Sequence, residues 1–418
     1  MQSIITFIQG FLSRKGAYVV LSQIIQKGLN FFTVVLVIRI LSKEDYGLLV
    51  YAIAILAAVL PFVGGGILQS LMRYGARLGS FRARKQLTQF SFRRGLLYST
   101  ILLVVLVIAS PWITAKLPKG LPYFYIITFQ LIGLLFYETV SWYLRIVHLN
   151  KAFSYLQIQQ GIGMFVGNVL AAYFFGAMGF AISTVIIPFV LALFWMKKIN
   201  FFAVQPQYLV KDTTKRAYFN YGFFTSLGGI AAQLLFTVDI LVISYLLADA
   251  ESIAFYKASS MIPFALLFIP TGFILTDFVT LVKESKNKEY LVNYHKNFAK
   301  LFFTLSTLLL IVMWLFSDEI MQLFGAKYSN DISLLPIFAF GLIGGMSIRI
   351  PMGNLLSAVG WARINALFSA ITLIINLALN YYLVKSYGIV GAAWATSGLM
   401  WFSGIISFIA FKIYLKKL

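Results

Sequence analysis

The sequence NVLAAYFFGAMGFAIST, residues 168–184, returns in altered form as NYYLVKSYGIVGAAWAT, residues 380–396. An asparagine, two glycines, an alanine and a threonine keep their spacing at an offset of 212 residues. The basic residue ahead of the first copy, Lys151, is matched by Arg363 ahead of the second. The repeat therefore predicts that the chain consists of two related halves.

The composition is that of an integral membrane protein. Of the 418 residues, 60% are hydrophobic and 11% are charged, and the mean hydropathy is +0.87. Apolar runs of about 20 residues are long enough to cross a bilayer as helices. We predict an all-α integral membrane protein with 12 transmembrane helices in two six-helix lobes. The predicted spans are residues 17–41, 46–72, 95–115, 123–147, 154–175, 177–196, 218–247, 253–282, 300–317, 334–359, 364–384 and 388–411.

The two halves divide in a basic loop. We place an N-terminal lobe at residues 1–196, a cytoplasmic linker at 197–217 and a C-terminal lobe at 218–418. Because six spans is an even number, both lobes enter the membrane in the same orientation. A pseudo-two-fold axis along the membrane normal is then expected to relate them.

The basic residues indicate how the chain is oriented. Of the 34 Lys and Arg residues, 25 fall in the termini and connections of one side, 5 fall on the other side, and the rest lie within predicted spans. The positive-inside rule makes the basic side, with both termini, cytoplasmic. Residues 1–13 are predicted to form an amphipathic helix in the cytoplasmic interface, with a disordered tail as the alternative. The charge of +21 is spread over short loops near anionic lipids, which argues against nucleic acid as a partner.

Polar residues share one helical face in each of two spans. Gln157, Gln160 and Asn168 do so in the fifth span, and Asn376 and Asn380 do so in the eleventh. In lipid, a polar stripe turns toward other helices or toward water. We therefore expect a polar interior to which both lobes contribute.

Lys27 lies close to the middle of the first span. It is about 15 Å from the cytoplasmic start of the helix, too far for its ammonium to reach the interface. Gln23 and Asn30 flank it at i−4 and i+3, so the three residues form one polar face. We predict a cation that faces an aqueous cavity, with a structural ion pair as the alternative.

Three further cations fall within predicted spans. Arg349 follows several glycines in the tenth span and is also predicted to face the cavity, because glycine and proline at this density permit bending. Arg39 lies near the outer surface, where it either contributes to function, reaches the interface or meets Glu44 or Asp45. Lys257 is counted with Arg39 among the substrate-binding candidates, and for Lys257 a structural pair with Asp239 and a gating role also remain open.

Acidic residues within the spans are candidates for coupling or gating. Asp239 is the deepest acid on the outer side and is the first candidate. Glu138 is a second candidate, although a salt bridge with Arg145 is the simpler interpretation for it. Asp277 in the cytoplasmic half of its span is interpreted in the same way.

The sequence gives no support for catalysis. There is no Cys, and His148 and His295 both fall in predicted cytoplasmic loops, so no thiolate, metal or His-based site is expected. No phosphate-cradling P-loop is present. No predicted loop exceeds about twenty residues, which leaves little room for a catalytic segment. We predict that the chain is not an enzyme and that it has no cofactor.

Two stretches resemble a known family. Residues 38–47, which contain Arg39 and end in Tyr46-Gly47, resemble the RxLxxxEYG signature of the polysaccharide branch of the multidrug/oligosaccharidyl-lipid/polysaccharide exporter superfamily. Residues 239–243, followed by 254–258, resemble a second passage of that branch, although Ala254 stands where a glycine is usual. The resemblance extends over essentially the whole chain.

This resemblance implies a flippase of the bacterial inner membrane. Its substrate would be an undecaprenyl-diphosphate-linked oligosaccharide, moved by alternating access for O-antigen, capsule or similar polymers. Lys27 and Arg349 would bind the diphosphate, and the polar faces of spans five and eleven would meet sugar hydroxyls. A coupling ion, H⁺ or Na⁺, or the membrane potential would drive transport. Membrane lipids, a polysaccharide polymerase and assembly proteins are the other expected partners.

Three alternatives remain. A multidrug cation antiporter of the same fold would need uncompensated carboxylates in its cavity, whereas the spans hold four cations and three acids. A lipid II-type flippase usually has fourteen spans. A membrane glycosyltransferase or polymerase would need a catalytic loop.

Overall fold

The structure is a computed structural model that describes residues 16–203, 212–235, 237–329 and 334–418. The predicted interfacial helix, residues 1–13, lies outside the described residues, as do residues 204–211 of the predicted linker.

Helices account for nearly all of the described chain. Before residue 204 these are α1 (Gly16–Ile40), α2 (Lys43–Val59), a 3₁₀ segment (Leu60–Gly66), α3 (Ile67–Gly75), α4 (Phe81–Ile113), a 3₁₀ turn (Pro118–Gly120), α5 (Leu121–Thr128), α6 (Gln130–Ile146), α7 (Asn150–Lys198) and a 3₁₀ turn (Phe201–Ala203). After residue 211 they are α8 (Asp212–Leu234), α9 (Val238–Leu247), α10 (Ala250–Leu266), α11 (Phe268–Lys283), α12 (Lys288–Leu315), α13 (Ser317–Gln322), a 3₁₀ turn (Ala326–Tyr328), α14 (Leu335–Gly344), a π-helical segment (Gly345–Arg349), α15 (Ile350–Ala358) and α16 (Ala362–Lys416).

Several of these helices begin at a capping side chain. Ser42 accepts a hydrogen bond from the backbone N–H of Asp45 at 3.0 Å, and Ser80 accepts one from Ala83 at 3.1 Å. Asp249 caps α10 in the same way. Each cap satisfies an N–H group that the first turn leaves without a partner, and so defines where the helix begins.

The predicted all-α membrane fold is confirmed. Nine helical stretches of the described residues are long and apolar enough to cross a membrane. The stretches 150–198 and 363–416 are 49 and 54 residues long, about twice a bilayer span, and each is broken once. These two therefore supply four crossings, which makes eleven in the described residues, and α9 is a shorter apolar helix of 10 residues.

The repeated motif forms the break in each of the two longest helices. Gly176 in α7 has φ 62° and ψ −151°, and Gly388 in α16 has φ 57° and ψ −140°. This backbone conformation is essentially restricted to glycine. The spans before and after each glycine form a tight helical hairpin.

The second glycine of the motif lets the two arms of each hairpin touch. A Cβ atom on Gly179 would lie 2.2 Å from the carbonyl oxygen of Ala171, and one on Gly391 would lie 2.0 Å from that of Leu383. Ala171 and Leu383 are themselves 212 residues apart, so the same contact occurs in both halves. The motif is repeated because each hairpin needs both glycines.

The chain divides into two compact units, residues 1–233 and 234–418. The sequence placed this boundary in the loop 197–217, one helix earlier. The seventh predicted span, 218–247, is divided between the units, because α8 packs with the first unit and α9 lies in the second.

The docking of α8 within the first unit depends on small residues. The backbones of Gly66 and Gly222 approach so closely that a Cβ on Gly222 would lie 2.4 Å from the Gly66 carbonyl oxygen. Ser70 donates a hydrogen bond to the Tyr218 carbonyl at 2.5 Å, and the hydroxyl groups of Ser91 and Tyr218 are 2.7 Å apart. Gly66 lies in the break between α2 and α3, so these contacts fix α8 to that break.

Candidate functional site

The most extensive buried polar cluster described in the second unit surrounds Asp239. This residue lies in the first turn of α9 and is 3% exposed. Its carboxylate accepts hydrogen bonds from the Tyr256 hydroxyl at 2.8 Å, the Thr396 hydroxyl at 2.7 Å and the Asn380 amide at 2.9 Å. Asn376 lies beside Asn380, whose amide also donates to it. We call these five residues the Asp239 cluster.

The break at Gly388 brings two members of the cluster together. Asn380 and Thr396 lie on the two arms of the α16 hairpin, so the hairpin places both on the same carboxylate. Their equivalents in α7, Asn168 and Thr184, meet no acid among the residues that the structure describes. Asn168 accepts a hydrogen bond from Ser183 at 2.7 Å, and Thr184 donates to the carbonyl of Phe180 at 2.8 Å.

A cavity joins the cluster to Arg349. It measures about 30 Å³ and is lined by Asp239, Arg349, Thr372, Asn376 and Thr396, together with four apolar residues. A cavity of this size admits about two water molecules. In this conformation it is therefore too small for a sugar or a diphosphate.

Arg349 is the positive charge of this cavity. It ends the π-helical segment Gly345–Arg349, and a Cβ on Gly404 would lie 3.1 Å from its backbone nitrogen. π-Helical turns are frequent at functional sites. Within the described part of the chain, no hydrogen bond or ion pair joins the Arg349 guanidinium to another residue. The Asp239 carboxylate already accepts three hydrogen bonds from other side chains, so the Arg349 guanidinium remains available to an anion.

Lys257 follows Tyr256 on α10 and is partly buried. The donors that bind Asp239 are Tyr256, Thr396 and Asn380, and Lys257 is not one of them. The Asp239 charge acts on Lys257 from a greater distance. Whether Lys257 has a gating role stays a prediction.

In the first unit, the predicted polar residues lie on two neighbouring helices. Gln160 on α7 accepts a hydrogen bond from Gln26 on α1 at 2.6 Å, and Gln157 is partly buried on the same helix. Gly161 permits this packing, because its Cβ would lie 3.2 Å from the Cα of Gln26. The polar face of α7 thus binds α1 and, through Asn168, its own second arm.

The polar face of α1 itself is exposed. Gln23, Lys27 and Asn30 are all exposed within the described chain, in one row along the helix. Such a row on a membrane-spanning helix is costly against hydrocarbon and favourable against water. The three side chains share a face, and their role in substrate binding stays a prediction.

The remaining predicted residues lie near the ends of spans. Arg39 is exposed in the last turn of α1, and the acids expected to meet it have other partners. Glu44 pairs with Lys119 at 2.7 Å, and Asp45 accepts from Tyr123 at 2.8 Å. Arg39 is therefore not paired with either acid.

Glu138 is partly buried on α6, one turn before Trp142 and two turns before Arg145. The positive charge of Arg145 acts on the Glu138 carboxylate, and the Arg145 guanidinium stacks at 5.1 Å from the centre of the Trp142 ring. Among the described residues, no ion pair joins the Glu138 carboxylate to the Arg145 guanidinium, so the predicted salt bridge is not formed, and a gating role for Glu138 stays a prediction. Asp277, treated likewise, accepts a hydrogen bond from Tyr294 at 3.0 Å.

Sequence reasoning missed three residues of these clusters as site residues. Tyr256 and Thr396 belonged to the quoted motifs, but nothing in the sequence indicated that their hydroxyl groups bind Asp239. Gln26 lies three residues after Gln23 and four before Asn30, so its spacing could have placed it on the same polar face, but it was not singled out. In the residues that the structure describes, no group of three or more His, Cys, Asp or Glu side chains is placed to hold a metal ion.

The helical hairpins, the apolar spans and the polar cavity define a multi-pass membrane protein with a polar interior in its second unit. Residues 12–276 match the model of the family described as polysaccharide biosynthesis protein, and residues 225–382 match the MatE family model. The first match covers more than half of the chain, and the protein belongs to the polysaccharide biosynthesis protein family. The predicted membership of the polysaccharide branch is confirmed.

Two relatives with assigned names are similar to part of the chain. A "Putative O-antigen transporter" of Shigella flexneri is 28% identical over 183 residues, which are 43% of this chain and 43% of that protein. A "Probable low-salt glycan biosynthesis flippase" of Haloferax volcanii is 28% identical over 189 residues, which are 44% of this chain and 39% of that protein. The chain thus matches less than half the length of these curated relatives.

Two solved structures share the fold over most of the chain. An inward-facing multidrug resistance MATE family transporter of the MOP superfamily has a TM-score of 0.72 and 13% identity, over 94% of this chain and 95% of that one. The lipid II flippase MurJ, in an inward closed conformation, has a TM-score of 0.72 and 16% identity, over 94% and 87%. At these identities the likeness shows the fold alone.

Proposed function

We propose that the protein is a flippase for lipid-linked oligosaccharides. It moves undecaprenyl-diphosphate-linked units across the bacterial inner membrane by alternating access, and both of its termini are cytoplasmic. Family membership and the names of the two relatives support this proposal. The cargo carries a diphosphate, a polar glycan and a hydrocarbon tail, so the protein has to offer cations and hydrogen-bonding groups away from lipid.

The observation that carries the proposal is the Arg349 guanidinium in the cavity of the second unit. A guanidinium presents a rigid fork of donors that matches the oxygen atoms of phosphate. Because the Asp239 carboxylate already has three donors, it leaves Arg349 free to bind an anion. The cavity of about 30 Å³ then has to widen during the transport cycle to admit the diphosphate.

In the first unit, the exposed row on α1 is the proposed contact surface for the substrate. Lys27 adds a second cation for the diphosphate, and Gln23 and Asn30 offer amides to sugar hydroxyls. Gln157, Gln160, Asn376 and the exposed Arg39 complete the proposed set of substrate contacts. Asn168 and Asn380, which are almost fully buried and hydrogen bonded, act by holding the two hairpins rather than by direct contact.

Asp239 is the proposed coupling group. It takes up H⁺ or Na⁺, and the Oδ1 atom of Asn380 lies buried beside it without a donor among the described residues. The carboxylate itself can take up H⁺, and carboxylate and amide oxygens together are the hard ligands that a cation such as Na⁺ prefers. Occupancy of this site would change the hydrogen bonds that join α9, α10 and α16, and so the conformation of the unit that carries Arg349.

One specific observation favours a second candidate function. A carboxylate lines the same cavity as Arg349, and a multidrug cation antiporter of this fold would use such a group to bind its cation. The two candidates differ in the sign of the charge that the substrate presents. They also differ in which of Asp239 and Arg349 contacts it.

The test is complementation of a strain that lacks its own repeat-unit flippase. We expect Arg349→Ala to abolish surface polymer and to cause a lipid-linked oligosaccharide to accumulate, while Arg349→Lys retains part of the polymer because it keeps the charge. The matched control is Arg363→Ala, which removes an exposed arginine at the start of α16. Wild-type polymer with Arg349→Ala at normal protein levels would contradict the proposal. Arg349-independent efflux of a cationic dye from the same cells would favour the antiporter.

A further inference from the structure

A groove on the second unit has no part in the transport site described above. It has a volume of about 360 Å³, within the range of ligand pockets, and its lining is largely apolar. It runs between α12, the π-helical segment and α16. His295, Lys300 and Phe303 line it from α12, Ser347 and Ile348 from the π-helical segment, and Trp401 from α16.

One end of the groove is basic. Lys300 and His295 line it from α12, and Lys412 places its ammonium 4.6 Å from the centre of the Phe408 ring. The Nδ1 atom of His295 is buried and has no hydrogen-bond partner among the described residues. A cationic end with a spare hydrogen-bonding nitrogen suits a phosphate group.

The other end of the groove is apolar and rigid. Trp401 donates its indole N–H to the Phe340 carbonyl at 3.0 Å, which fixes the orientation of the ring. Gly344 lets the ring lie flat against α14, since a Cβ there would be 2.8 Å from it. Phe303 projects beside this end and is 51% exposed. A hydrocarbon chain lying there would contact aromatic surface along its length.

The basic and apolar ends of the groove are arranged in the same order as the headgroups and acyl chains of the cytoplasmic leaflet. Lys412 is near the C-terminal end of α16, and Trp401 lies eleven residues before it. In the proposed orientation, with the C-terminus cytoplasmic, the basic end is toward the cytoplasm and the apolar end toward the bilayer centre. On α12 an uncharged stretch begins directly after Lys300 and continues to the end of the helix. Basic pockets between helices on the cytoplasmic side are a recognised form of lipid headgroup site.

We propose that this groove binds an anionic phospholipid of the cytoplasmic leaflet. Its phosphate lies among His295, Lys300 and Lys412, and one acyl chain lies along Phe303 and Trp401. Ser347 and Ile348, which line the groove, belong to the π-helical segment that ends at Arg349. The bound lipid thus packs against the same turn that positions the arginine of the cavity.

The test is quenching of Trp401 fluorescence by brominated lipids. The protein has seven tryptophans, so the Trp401 signal is taken as the difference between the wild type and Trp401→Phe. Purified protein is placed in phosphatidylcholine vesicles that contain either brominated phosphatidylglycerol or the same fraction of brominated phosphatidylcholine. We expect the anionic lipid to quench Trp401 more strongly at every mole fraction.

Removing the basic end should abolish this preference. A positive side chain at the membrane surface changes the affinity for an anionic lipid by about five-fold. Lys300→Ala should reduce the preference by about that factor, and His295→Ala should reduce it further through the loss of one hydrogen-bonding nitrogen. Lys286→Ala, which removes an exposed lysine before α12, should leave the preference unchanged. Equal quenching by both lipids would overturn the proposal in favour of ordinary contact with bulk lipid. A preference that survives Lys300→Ala together with His295→Ala would overturn it as well.

The test is independent of transport. The vesicles contain no oligosaccharide lipid, so the quenching result does not depend on whether the proposed function is correct. All variants are compared at matched gel-filtration profiles, and the Trp401→Phe subtraction is repeated in each background.

Discussion

The Asp239 carboxylate accepts hydrogen bonds from side chains on two other helices. Tyr256 comes from α10, and Asn380 and Thr396 come from the two arms of α16. Hydrogen bonds to a buried charged group contribute about 1.5–3 kcal/mol each, more than those between neutral groups. The cluster therefore stabilises the second unit in addition to its proposed role in coupling.

The repeat offers a matched pair for measuring this contribution. Thr396→Val keeps the side-chain shape and removes one donor to Asp239, so we expect the free energy of unfolding to fall by about 1.5–3 kcal/mol. Thr184→Val removes the equivalent hydroxyl, which donates only to a backbone carbonyl of its own helix, and should cost clearly less. Thermal unfolding of the purified variants compares them. Equal losses would show that the carboxylate is not stabilised through Thr396.

A second prediction concerns the charge of Asp239. Asp239→Asn keeps the size of the side chain but turns one of its oxygens into an NH₂ group that faces donors. We expect transport to lose its dependence on the H⁺ or Na⁺ gradient, together with a lower melting temperature. Asp277→Asn is the control, because Asp277 accepts from Tyr294 outside the cavity. If gradient-dependent transport survives in Asp239→Asn but not in Asp277→Asn, the coupling role belongs elsewhere.

At the scale of the helices, the two glycine breaks decide the architecture. Gly176 and Gly388 each turn one continuous helical stretch into a hairpin of two spans, and Gly179 and Gly391 let the arms meet. In the second hairpin this geometry also places Asn380 and Thr396 on one carboxylate. The same residues thus determine the fold and build the site.

The break at Gly388 gives a direct prediction. Gly388→Ala forces a side chain into a backbone conformation that only glycine adopts easily, so we expect a loss of about 1–3 kcal/mol in stability. Gly398→Ala, on the same helix, introduces a Cβ that meets nothing within 4 Å and should be neutral or slightly stabilising. Melting temperatures in detergent compare the two. A neutral Gly388→Ala would mean that the hairpin does not depend on this conformation.

The docking of α8 gives another prediction. Gly222→Ala places a methyl group 2.4 Å from the Gly66 carbonyl oxygen, and backbone atoms on both sides leave no flexible group to move. We expect the packing of α8 against the break between α2 and α3 to be lost, which limited proteolysis in the residues before α8 would detect. Gly228→Ala on the same helix meets nothing within 4 Å and serves as the control. Identical cleavage of both variants would contradict the assigned packing.

At the scale of the whole molecule, the sequence predicted those features that depend on neighbouring residues or on the internal repeat. Apolar runs predicted the spans, and the glycines that recur at an offset of 212 predicted two halves. The division of the seventh span was not predictable, because the Gly66–Gly222 contact joins residues far apart in the chain. The sequence identified Asp239 and Asn380 as separate candidates for the same reason. The two residues are hydrogen bonded but lie 141 residues apart, so their contact could not be predicted.

The site was anticipated in part. The sequence placed Asn168 and Asn380 on polar faces, but only the fold shows that Asn168 binds a neighbouring serine while Asn380 binds a carboxylate. It also marked Arg349 as a buried cation without indicating that Asp239 lines the same cavity. Residue type indicated which side chains are unusual in a membrane, whereas the hairpins decide which of them meet.

The central claim is that Arg349, whose guanidinium has no partner among the described residues, binds the diphosphate of a lipid-linked oligosaccharide during transport. It is tested most directly by following a fluorescent oligosaccharide lipid across the membrane of vesicles that contain the purified protein, using a reductant that reaches only the outer leaflet. The account predicts fast transfer with the wild type, a rate at least about ten-fold lower with Arg349→Ala, and partial recovery with Arg349→Lys. Equal rates for the wild type and Arg349→Ala would contradict it.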